Sequence, residues 1–107
     1  MHCYIVKVLK FYYSDVTTDW RYIGDRIIGA CDNLDIGKGI ISSHMLVTLL
    51  NDKLDNVKVE TMHESDIDRH CFIVMYTFTD TESGKECKME YDVERLEMNK
   101  FIERIEE

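Results

Sequence analysis

The chain has 107 residues, 45% of them hydrophobic and 32% charged, with a formal net charge of −8 at neutral pH. This composition excludes a disordered chain, its apolar runs are too short for a membrane span, and one domain over residues 1–107 is the simplest expectation. Residues 1–50 carry five acids and five bases, so the whole negative excess falls after Leu50, which disfavours contact between that part and a nucleic-acid backbone.

In chain order, His2–Tyr13 (HCYIVKVLKFYY) is rich in Ile, Val, Phe and Tyr on both parities and predicts a long, well-covered first strand. Lys7 and Lys10 interrupt its apolar run and no small-residue cleavage site follows, so no secretory signal is read and a cytoplasmic location is expected. Asp15–Asp19 offers N-cap candidates. Trp20, Ile23, Ile27 and Cys31 then recur at three- and four-residue spacing, predicting an amphipathic helix that ends near Asp32 and is weakened by Gly24 and Gly29.

Asp32–Gly39 reads as a loop between helices, from its Asn, Asp and Gly content. A phosphate-cradling loop fails there because Gly37-Lys38 is followed by Gly39 rather than Ser or Thr. A calcium loop starting at Asp32 fails because Leu34 and Ile36 fall on ligand positions. A second helix is expected from Ser42 as cap, with Ile41 and Leu46 as a hydrophobic staple and Leu46, Leu49 and Leu50 as its buried stripe above Leu54.

Val57–His63 alternates as a half-exposed strand, and Glu64–Asp68 is an acidic turn. Arg69–Val93 predicts a β-hairpin whose first arm, Cys71–Phe78, is apolar on both parities and therefore central. Its turn, Asp80–Lys85, places Gly84 where positive φ is needed. The return arm sets Cys87, Met89, Tyr91 and Val93 against Lys88, Glu90, Asp92 and Glu94. Leu96, Met98, Phe101, Ile102 and Ile105 carry helical spacing to the C-terminal end. The expected fold is thus a single α+β domain of order β-α-α-β-β-β-α, a mainly antiparallel four-stranded sheet with its helices on one face. From Ser42 onward this order is also that of double-stranded-RNA-binding domains, but Glu94 and Glu97 stand where the final helix of such a domain needs bases.

Cys3, Cys31, Cys71 and Cys87 form no close pair and read as free thiols, although a Cys71–Cys87 bridge across the hairpin is geometrically allowed. His2, His63 and His70, with Glu60 or Glu64, are the residues from which a zinc site would be built; strand-end histidines explain them as well, and no metal or cofactor is expected. No spacing selects a catalytic trio, so no enzyme activity is expected.

Two surfaces remain. Tyr4, Phe11, Tyr12, Tyr13, Trp20 and Tyr22 are interleaved with Lys7, Lys10, Arg21 and Arg26, a pattern that can stack and hold single-stranded nucleic acid. Against it stands the acidity of the chain, and the row Glu82, Glu86, Glu90, Asp92, Glu94 and Glu97 points instead to a protein partner with a basic surface. The preferred expectation is a small acidic interaction module of the kind found among phage accessory proteins, extending to an inhibitor or DNA mimic acting on a nucleic-acid-processing protein. The rivals are a nucleic-acid-binding accessory protein and a small metalloprotein or enzyme.

Overall fold

The computed structural model describes residues 2–51 and 54–97. In chain order these form β1 (His2–Ser14), β2 (Asp19–Cys31), α1 (Leu34–Asn51), β3 (Leu54–Glu64), β4 (His70–Asp80) and β5 (Glu86–Glu97). The strands make one antiparallel sheet in the order β2-β1-β5-β4-β3. The expected α+β order β-α-α-β-β-β-α, with four strands and several helices, is therefore corrected: the protein is mostly β, with five strands and one described helix.

The residues after Asp19 form a strand where helical spacing predicts a helix, and two bulges explain the error. β2 pairs with β1 residue for residue except at Ile23 and Ile28, each an extra residue that reverses side-chain parity. Trp20 and Ile27 consequently share a face with Tyr13 and Lys7, whereas Cys31 pairs with Tyr4 on the opposite face. Apolar residues at 20, 23, 27 and 31 thus imitate a helical stripe without sharing one side. The expected capping segment Asp15–Asp19 is a hairpin turn, closed with Thr18 at φ 53°.

The expected loop Asp32–Gly39 is instead the start of α1. Asn33 caps it, its Oδ1 accepting the Asp35 amide at 2.7 Å. Gly37 lowers helix propensity but is buried against the sheet, where a Cβ would lie 3.5 Å from Cys31 Sγ and 3.7 Å from Val6 and Val93. Tertiary contact overrides the local signal. The stripe facing the sheet runs Gly37, Ile41, Met45 and Leu49, while Leu46 and Leu50 of the expected stripe are exposed.

α1 packs chiefly on β2, β1 and β5. Beneath it lies the core: Val6, Val8, Val74, Tyr76, Met89, Tyr91, Val93, Cys71 and Ile41. The hairpin from β4 to β5 forms as its sequence predicts, with Gly84 at φ 71° and Asp80 accepting the Glu82 amide and the Ser83 hydroxyl. β5, rather than β4, is the middle strand. The helix expected over Leu96–Ile105 falls, beyond Glu97, outside the described residues.

The open sheet face and a polar chain beneath the helix

Alternation from the core positions fixes which side chains point away from α1. Val6, Val8, Tyr91 and Val93 face the helix, so Ile5, Lys7, Leu9, Phe11 and Tyr13 of β1 and Lys88, Glu90, Asp92 and Glu94 of β5 face the other way. Beside them β4 contributes Ile73, Met75 and Thr77. Among the described residues no helix lies on this face, and Ile5, Leu9, Ile73 and Met75 are half-buried there.

The open face divides into two ends. At one, Glu94 is nearly buried, its side chain 9% exposed; Arg69 Nε donates to Glu94 Oε1 at 2.6 Å and Lys7 Nζ stands 3.7 Å from Oε2. Asp92 Oδ2 meets His70 Nδ1 at 2.8 Å, while its Oδ1 is buried and accepts no hydrogen bond among the described residues. Glu90, between Leu9 and Met75, has no ion pair among the described residues. At the other end Phe11 and Tyr22 meet edge to face at 5.8 Å, as do Tyr13 and Trp20 at 5.6 Å. Lys88 Nζ covers both pairs, 4.5 Å from the Phe11 ring centre and 5.0 Å from that of Trp20.

The residues expected to form an acidic row therefore separate. Glu86, Glu90, Asp92 and Glu94 share the open face; Glu82 lies in the exposed turn, and Glu97 has the opposite parity at the end of β5. The aromatic and basic residues of the N-terminal half separate as well. Phe11, Tyr13, Trp20, Tyr22 and Lys7 are on the open face, whereas Lys10, Tyr12, Arg21 and Arg26 are on the helix side. Two histidines of the expected zinc set are hydrogen-bonded to different carboxylates, His63 to Asp68 at 3.0 Å and His70 to Asp92 at 2.8 Å. The four cysteines are free thiols. Burial pushes the Cys71 and Cys87 thiols up, opposite to the activation a nucleophile needs.

Beneath the helix lies a polar chain that sequence reasoning missed. Arg26 on β2 bonds His44 Nε2 at 3.1 Å, and His44 Nδ1 bonds the Tyr91 hydroxyl at 2.8 Å. Arginine only donates, so Nε2 is the acceptor and Nδ1 carries the proton that it donates to Tyr91. The Tyr91 ring in turn stacks on that of Tyr76, their centres 6.1 Å apart, and both rings are fully buried. Burial, then the Arg26 and Lys10 charges, lower the His44 pKa and keep the ring neutral; burial likewise raises Tyr91 far above an ordinary phenol. The partners lie 18 and 47 residues apart, so no local spacing announces them.

Compared with known proteins, the chain matches no family model and no curated protein. No described helix is long and apolar enough to cross a membrane.

Proposed function

We propose that the protein is a non-enzymatic interaction module whose working surface is the open face of the sheet, and that its partner is a protein with a basic, partly apolar surface. The observation that carries this reading is the row Glu90, Asp92 and Glu94 on the middle strand of the sheet face turned away from α1, framed by half-buried Ile5, Leu9, Ile73 and Met75. Apolar area around a charged line offers both burial and specificity. Asp92 Oδ1, buried and without a donor among the described residues, supports it further, since an acceptor left without a donor costs about 1–3 kcal/mol and tends to be kept for a role.

Within this reading Lys7 and Arg69 act as internal counter-ions to Glu94, the His70 ring hydrogen-bonds Asp92, and Glu86 and Glu90 carry the charge a partner meets first. A row of carboxylates facing a nucleic-acid-processing protein would occupy the groove that otherwise holds phosphates, which makes an inhibitor or DNA mimic the finer form of the proposal. Cytoplasmic action fits the same reading. The test is affinity capture from the native host with wild-type protein and with E86K/E90K, two positions with no ion pair among the described residues, so that the contacts of Asp92 and Glu94 stay in place. The reversal should abolish recovery of the wild-type partner; equal recovery by both would refute the role of the acidic row.

A second reading, single-stranded nucleic acid stacked on Phe11, Tyr13, Trp20 and Tyr22, is favoured by the two ring pairs capped by Lys88. Trp20 is the sole tryptophan, so an oligonucleotide binding there must change its fluorescence at low salt. An unchanged spectrum removes this reading.

A further inference from the structure

We propose that β3 is a self-association edge, pairing antiparallel with β3 of a second copy about a two-fold axis at Val59. β3 closes one side of the sheet, every residue from Asp55 to Met62 is exposed, and Val57, Val59 and Met62 retain 38%, 56% and 51% of their surface. An uncovered edge strand of this kind is a template for another strand. α1 packs on the far half of the sheet, chiefly on β2, β1 and β5, and leaves this edge accessible.

The charges choose both the occupant and the register. Between its two bulges β3 runs regularly from Lys58 to Thr61, paired one for one with Thr77–Val74. A two-fold axis perpendicular to a continuous sheet keeps each side chain on its own face, so only residues of equal parity can stand opposite one another. Centring the axis on Lys58 or on Glu60 would set like charges directly opposite. Centring it on Val59 sets Lys58 against Glu60 of the second copy twice over and stacks Val59 on Val59. Neither Lys58 nor Glu60 has an ion pair among the described residues, so both are available. The lysine that would guard this edge against a foreign strand thus becomes the determinant that admits a second copy.

The experiment is sedimentation equilibrium of the full chain at high micromolar concentration. Wild type should show a monomer-dimer equilibrium that weakens with salt. K58E and E60K should each weaken self-association by roughly tenfold, because each turns two attractive cross-strand pairs into repulsive ones. An equimolar mixture of the two variants should recover dimer, since the reversed positions complement each other, and so should the double variant K58E/E60K. Both side chains are exposed, and circular dichroism checks that each variant stays folded. A monomeric wild type, single variants that associate like wild type, or a mixture of folded variants that stays monomeric would each overturn the proposal. The acidic row of β5 is untouched by these substitutions, so partner capture through it stands or falls separately.

Discussion

His44 sits where three requirements meet: it must accept from Arg26, donate to Tyr91, and do both without charge. Its pKa in the folded chain lies below the ordinary value of 6.5, lowered first by burial and then by Arg26 and Lys10. Because the folded-state value is the lower one, the contribution to stability is fully present above about pH 6.5 and is lost as pH falls towards the folded-state value. Urea unfolding at a series of pH values should therefore show a decline below about pH 6.5 that is shallower in H44Q, which keeps a neutral donor and acceptor. A decline of equal slope in H44Q would remove His44 from the explanation. Tyr91→Phe strips the hydroxyl that receives the His44 proton, and thermal or urea unfolding should register a loss of about 1–3 kcal/mol for the unsatisfied group.

At the scale of elements, the glycines show where local signals and packing disagree. A Cβ on Gly29 would come within 2.9 Å of Ile40 Cδ1 and 3.2 Å of its Cγ2, so β2 and α1 approach closely only because that position has no side chain. Gly39 has open space around its Cβ position. Gly39→Ala should therefore stabilise α1 by about 1 kcal/mol, and Gly29→Ala should destabilise by about the same amount, less if Ile40 rotates away. Chemical denaturation of the two variants measures both; a stabilising Gly29→Ala would contradict the close approach of β2 and α1.

The same elements mark the limits of the sequence. β1, β3 and the hairpin of β4 and β5 were legible because period-two alternation and the Asp80–Lys85 turn are local signals. β2 does not show in the sequence as a strand because the bulges at Ile23 and Ile28 write a three-and-four spacing into it. The first turns of α1 do not show in the sequence because Gly37 and Gly39 lower helix propensity while the contact of Gly37 with Val6 and Val93 is long-range. For the candidate surface, alternation alone placed Glu90, Asp92 and Glu94 on one face. The pairing of Glu94 with Arg69 and Lys7 and the hydrogen bond of Asp92 to His70 depend on strand order, and so does the separation of Arg26 from the aromatic rings.

For the molecule as a whole, one face of the sheet holds the core under α1, and the other presents a carboxylate row at one end and an aromatic, lysine-capped end at the other. The central claim is that this second face is where the protein works. Methyl-resolved NMR on addition of the captured partner tests it most directly, because Ile5, Leu9, Ile73 and Met75 report the open face while Ile41, Val74 and Leu49 report the helix side. The account predicts shifts or broadening concentrated in the first set, with the second set unmoved. Perturbation confined to the helix-side methyls would contradict it.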